Sequence, residues 1–203
     1  MSVAIRPFQP FDLPALYRVC LLTGDSGKDA TPLYRDPELI GHLYAGPYPL
    51  ADPALTFVAT DGQGVLGYVL ATADTAAFEK WQAAHWWPEL RERYPEVGDP
   101  GDGSRDWTLV RQINRPYATD AALLADYPAH LHIDLLPRGQ GAGLGRKLIT
   151  TLFAALRERG VPGVHLGVGA RNPGARAFYL RLGFTELRRD DAGSTMAYDL
   201  SGV

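Results

Sequence analysis

Cysteine is almost missing from this 203-residue chain: Cys20 stands alone, so no internal disulfide can form and no cysteine-based metal cluster can be built. That usage leads to the expectation of a reducing, cytoplasmic compartment. No run approaches the ~20 apolar residues of a membrane span, and no membrane partner is expected. Met1-Ser2-Val3-Ala4-Ile5-Arg6-Pro7 lacks a basic start leading into a long apolar stretch, so no secretion signal is expected. Internal repeats, low-complexity tracts and long linkers are also lacking, which predicts one domain over residues 1–203. What is there is ordinary globular composition, 46% hydrophobic and 21% charged, against wholesale disorder.

The net charge of −3 hides an uneven distribution. From Arg138 to Arg189 there are ten Lys or Arg against two acids, Glu158 and Glu186, whereas Asp74 to Asp106 holds eight acids and four bases. A basic half suits a polyanionic ligand, and an acidic half tolerates a cationic one. Nucleic acid is not expected, because Phe153, Phe178, Tyr179 and Phe184 are not interleaved with the bases as a stacking platform requires. A small phosphate-bearing cofactor fits better.

Apolar periodicity predicts a strand over Val3 to Phe8 and a helix over Phe11 to Leu22, with Cys20 as a small core residue. A short helix is expected from Asp36 to about Tyr44. A hairpin is expected with strands Leu55 to Thr60 and Val65 to Ala73 around Asp61-Gly62-Gln63-Gly64. A helical segment over Ala76 to Arg93 carries Trp81, Trp86 and Trp87, which either cap a pocket or bury the helix. Residues 95–105 read as a surface loop. Strands are expected at Ala129 to Leu136, Val164 to Val168, Phe184 to Leu187 and Thr195 to Leu200. Helices are expected at Leu144 to Arg159, which has one apolar face, and at Pro173 to Leu182.

The informative stretch runs from Leu131 to Arg146, where a strand enters a glycine-rich turn that leads straight into an amphipathic helix. Glycines at 139, 141, 143 and 145 admit a ligand close to the backbone. The first amides of the helix lack internal partners and carry the positive end of its dipole, which makes a pyrophosphate cradle. A plain tight connection is the bland alternative. A Rossmann turn does not fit, because the glycines alternate and no acid ends the next strand. A Walker A loop does not fit either, since Gly145 is followed by Arg146-Lys147-Leu148.

Gln140-x-x-Gly143-x-Gly145, following Pro137, resembles the pyrophosphate loop of the GNAT superfamily of acyl-CoA-dependent N-acyltransferases. A second segment, Asn172 to Phe184, resembles that family's Asn-x-x-Ala-x-x-x-Tyr-x-x-x-Gly-Phe helix. The opening Ile5-Arg6-Pro7-Phe8 and the hairpin around Gly67-Tyr68 also look like its front half. The resemblance spans the chain apart from an insertion at about 74–127. Residues 78–95 and 127–134 are similar to the acetyltransferase-like C-terminal domain of the eukaryotic enzyme that removes O-linked GlcNAc from proteins. With no room for a glycosidase domain, a free-standing relative is expected.

The resemblance implies an α/β (mixed α+β) GNAT-like fold. Its central, mostly antiparallel, twisted sheet would be splayed at the cofactor site and flanked by helices, with the Trp-rich insertion before the fourth main strand. It implies acetyl-CoA as co-substrate and direct attack by an amine. Leu135 and Leu136 would line the pantetheine arm. Gln140, Gly141, Ala142, Gly143, Leu144, Gly145 and Arg146 would hold the pyrophosphate, and Asn172 would bond the arm from the next helix. Tyr179 takes the position of the acid that protonates the departing thiolate, a matched transfer for a phenol near pKa ~10.

The base is open in the sequence. His130, His132 and Asp134 alternate along one strand face if no bulge intervenes. Asp134 is the first choice, being nearest the thioester position, with His132 next and a water relay as the alternative. A metal at His130-x-His132 is not expected, since no third close ligand is visible. His42, His85 and His165 carry no assigned chemistry. The expected function is acetyl transfer to an amine on a small molecule or peptide, by a monomer or homodimer. A CoA-binding or protein-interaction module that has lost turnover is the competing reading.

Overall fold

The chain opens with a short strand, β1 (Ala4–Pro7), followed by a 3-10 turn and the helix α1 (Leu13–Thr23), on which Cys20 is a buried core residue. In the computed structural model, which describes residues 3–202, two short helices come next, α2 (Leu39–Tyr44) and α3 (Pro47–Ala51). The hairpin expected around residues 61–64 is formed by β2 (Thr56–Asp61) and β3 (Gly64–Thr72), with β1 added antiparallel to β2.

The insertion differs from expectation in two respects. Residues 76–93 read as a single helical segment, but the structure divides it into α4 (Thr75–His85) and α5 (Trp87–Arg93). The break falls at Trp86, just before Pro88, whose missing N–H is tolerated only in a first helical turn. Asp74 caps α4 by accepting from the Ala77 amide at 2.9 Å. After the loop come two helices that periodicity did not disclose, α6 (Asp106–Asn114) and α7 (Ala121–Asp126). Leu109 and Ile113 of α6 are buried in a core shared with α2 and α5.

The second half alternates strand and helix: β4 (Ala129–Leu135), α8 (Leu144–Glu158), β5 (Gly163–Gly169), α9 (Pro173–Leu182), β6 (Thr185–Arg189) and β7 (Gly193–Asp199). Seven strands form one sheet in the order β1-β2-β3-β4-β5-β7-β6. Every pairing is antiparallel except β4 with β5, which is parallel and limited to Ala129 opposite Val164 and His130 opposite His165. Beyond that contact β4 stays with β3 as far as Leu135, and β5 stays with β7 as far as Gly169. The two halves of the sheet therefore diverge, which is the splay expected at the cofactor site.

Strand alternation separates two cores. Val69, Ala71, Ala129 and Leu131 face α8, which buries Leu148, Ile149, Leu152 and Leu156 against them. Burial of each such side chain contributes roughly 1.5–3 kcal/mol, enough to hold the helix start in place behind the loop. Tyr68 and Leu70 face the other way, into a core with α1, α2 and the insertion that includes Phe78, Trp87 and Ile113. Among the described residues no helix is long and apolar enough to cross a membrane.

Candidate active site

The strand-loop-helix unit is built as a cradle. Leu136 still donates to Leu66 O at 2.9 Å, and Pro137–Gly139 makes a 3-10 turn. The Gln140 side chain then reaches back to Leu135 O at 2.9 Å, fixing the loop to the end of β4. Gly141 and Gly143 have φ of 82° and 74°, the left-handed region that only glycine enters without strain. The backbone N–H groups from Gly141 through Ala142, Leu144 and Gly145 to Arg146 find no acceptor among the described residues, and the first bond of the helix is Lys147 to Gly143 O. No side chain caps α8. Consecutive free amides at the positive end of a 15-residue helix suit a phosphate-bearing ligand.

Leu135 lies against this cradle: a Cβ added at Gly139 or Gly145 would come 3.4 Å from its side chain. Arg146 is exposed and donates to Arg181 O at 3.3 Å; no acidic side chain pairs with it among the described residues. Asn172 serves as the cap of α9, its Oδ1 accepting from the Ala175 amide at 3.0 Å. That oxygen is committed to the helix, which leaves the amide NH₂ as the group available to a ligand.

Tyr179 is buried on α9, edge-on to Phe184 with ring centroids 5.2 Å apart. Burial, reinforced by the charge of Asp134, pushes its phenol well above the ordinary tyrosine value. The hydroxyl is thus a proton donor and not a phenolate.

The register of β4 against β3 is unbroken, so His130, His132 and Asp134 do share one face, the one under the insertion. Asp134 lies opposite Tyr68 and accepts its hydroxyl at 2.5 Å. Burial raises the Asp134 carboxyl, while hydrogen bonds from Tyr68 and Thr23 oppose the rise. His130 and His132 share a partner: the Tyr48 hydroxyl is 2.8 Å from Nε2 of each. The other side of His130, Nδ1, is 2.7 Å from Thr75 Oγ1. Burial holds His130 well below the usual histidine range and His132 at about 4, with the neighbouring histidines adding to the effect. His165 packs 5.6 Å from His130, and its Nδ1 faces Tyr127 O at 2.8 Å.

Where β4 and β5 part, a cavity of about 200 Å³ opens between them and the insertion. His130, His132, Tyr44, Tyr48, Phe78 and Trp87 are on its wall, and Glu79 is its one carboxylate among the described residues. Of Trp81, Trp86 and Trp87, only Trp87 reaches this cavity. Trp86 donates from Nε1 to His42 O at 2.8 Å, and Trp81 stacks on Phe78. Asp134 and Tyr179 are not on the cavity wall. Sequence reasoning gave no site role to Tyr48, Tyr68, Thr75 or Glu79, because each meets the site through partners distant in sequence. The strict alternation of β3 against β4 was the one signal that pointed to Tyr68. Among the described residues no group of three or more His, Cys, Asp or Glu is arranged to hold a metal ion.

Comparison with known proteins agrees with this geometry. The model of the Acetyltransferase (GNAT) family matches residues 107–184. Protein O-GlcNAcase of Rattus norvegicus is 25% identical over 186 residues, which is 91% of this chain but 20% of that protein, so the chain spans about a fifth of its length. The ribosomal protein bS18-alanine N-acetyltransferase of Salmonella typhimurium is 31% identical over 119 residues, 58% of this chain and 79% of that one. The crystal structure of SsHAT shares 43% identity and superimposes with a TM-score of 0.91, covering 98% of this chain and 99% of that one. With the splayed sheet, the uncapped glycine-turn helix and these relatives in agreement, the chain belongs to the GNAT acetyltransferase family.

Proposed function

We propose that this protein transfers the acetyl group of acetyl-CoA to a primary amine by direct attack, as a single domain over residues 1–203. The observation that carries the reading is the meeting of two features at one splay. Free amides from Gly141 to Arg146 suit a pyrophosphate, and a cavity with neutral histidines lies on the other face of β4. The loop from Gln140 to Arg146 holds the diphosphate, Leu135 and Leu136 border the pantetheine arm, and the Asn172 amide donates to it. Tyr179, kept protonated by burial, gives its proton to the departing thiolate. The acceptor's proton goes to β4, where Asp134 and His132 both have the required chemistry.

The cavity wall narrows the acceptor. It carries Glu79 but no Lys or Arg among the described residues, so an amine without a nearby carboxylate or phosphate is favoured, on a small molecule or a peptide. The test is free-thiol release from acetyl-CoA across a panel of amines of either kind. Amine-dependent release is expected, fastest for acceptors free of anionic groups. Tight acetyl-CoA binding with no release from any amine would replace this reading with that of a CoA-binding or protein-interaction module.

A further inference from the structure

The hydrogen bonds beneath the insertion have a direction that can be read from one carbonyl. Thr75 Oγ1 lies 2.7 Å from Pro128 O and 2.7 Å from His130 Nδ1. A carbonyl has no proton to give, so the single Thr75 hydroxyl proton goes to Pro128 O. His130 Nδ1 must then carry its own proton and donate to Thr75. Buried and neutral, His130 has an unprotonated Nε2, which accepts from the Tyr48 hydroxyl. Tyr48 has spent its only proton there, so its oxygen accepts from His132 Nε2. His132 therefore holds its proton on Nε2 and a bare lone pair on Nδ1. That Nδ1 has no hydrogen-bond partner among the described residues, and His132 lines the cavity.

We propose that Thr75, His130 and Tyr48 form a directed positioning chain that fixes His132 in the tautomer whose Nδ1 accepts the proton of the attacking amine. This rests on the acetyl-transfer reading above and chooses between its two candidate bases. Asp134 is set aside on geometry: it is off the cavity wall, and its Oδ2 is occupied by the Tyr68 hydroxyl. In the step itself the neutral amine nitrogen forms the new C–N bond and the C–S bond breaks. One N–H proton passes to His132 Nδ1, and the CoA sulfur takes one from Tyr179. The imidazolium then loses its proton to solvent and the phenolate regains one, so the net products are the acetamide and free CoA thiol. The charged and titratable neighbours facing His132 are His130, His165, Tyr48 and Tyr44, whose ring lies edge-on to it at 5.7 Å, with Glu79 and Tyr117 also on the cavity wall. Burial among them lowers His132 to about 4, so the imidazole is neutral and its lone pair free at neutral pH.

Thr75→Val tests the chain from its far end, since the new side chain has the same shape and Thr75 is not on the cavity wall. Without the hydroxyl, His130 is released to protonate Nε2, Tyr48 reverses, and the proton of His132 moves to Nδ1. Nitrogen NMR of histidine-labelled protein is expected to show Nε2–H on His132 in the wild type and Nδ1–H in the variant. The amine-dependent kcat should fall on the order of tenfold or more with acetyl-CoA affinity unchanged, since a base held in the wrong tautomer loses as much as ~10⁴ in rate. Tyr48→Phe, which keeps the stacking on Phe78, should give mixed tautomers and a similar loss of kcat. A wild-type spectrum with the proton on Nδ1, or a Thr75→Val protein with wild-type tautomer and kcat, overturns the proposal. The expected spectra with no thiol release from any amine would instead overturn the acetyl-transfer reading, and the base role with it.

Discussion

The two faces of β4 offer chemical groups of different kinds. On the α8 side the working groups are backbone amides, held by local glycine geometry and by a helix whose apolar face is locked to the sheet. On the insertion side they are side chains from α3, α4 and β4, joined through Tyr48 and Thr75. Backbone recognition needs only a contiguous stretch and is indifferent to what surrounds it. Side-chain recognition needs distant segments to arrive in register. The first arrangement suits a ligand common to many enzymes, and the second suits one particular acceptor.

That division breaks most visibly at the loop. Gly143→Asp puts a β-carbon on a φ of 74° and a carboxylate among the free amides. It should abolish acetyl-CoA binding by calorimetry while leaving the histidine tautomers as they are. Unchanged affinity would remove the cradle assignment.

Tyr179→Phe is expected to divide the functions another way. The ring and its packing on Phe184 remain, so acetyl-CoA affinity should hold while turnover falls by roughly 10²–10⁴. Equal losses of binding and rate would make Tyr179 a packing residue only.

The smallest effect concerns acid. His42, His130, His132 and His165 all have folded-state values below the ordinary 6.5. The folded chain thus binds fewer protons than the unfolded one, and stability present above about pH 6.5 is lost as the pH falls toward about 4. The raised carboxyl of Asp134 opposes this, one group against four. A calorimetric Tm lower by on the order of 5–10 °C at pH 4.5 than at pH 7 is expected. A flat profile would mean that the histidines are not desolvated in solution.

The same contrast explains what could be read beforehand. Gln140, Gly143, Gly145, Asn172 and Tyr179 sit in two contiguous patterns, and both the strand-loop-helix and the splayed sheet followed from them. The face shared by His130, His132 and Asp134 also followed, because alternation is local. Tyr48 could not be read: it lies in a five-residue helix whose prolines and apolar residues mimic a loop. Its role depends on partners 82 and 84 positions away. The helices α6 and α7 stayed hidden for a related reason, being too short to carry a long apolar repeat.

The insertion reaches the site through Phe78, Glu79, Trp87 and Gln112, none of which belongs to the strand-loop-helix that faces the cofactor. In evolutionary terms this makes the segment a replaceable cartridge. Under the proposed function, exchange of residues there reshapes the acceptor wall and, through Thr75 of α4, the setting of His132, while the glycine loop for the acyl donor stays intact.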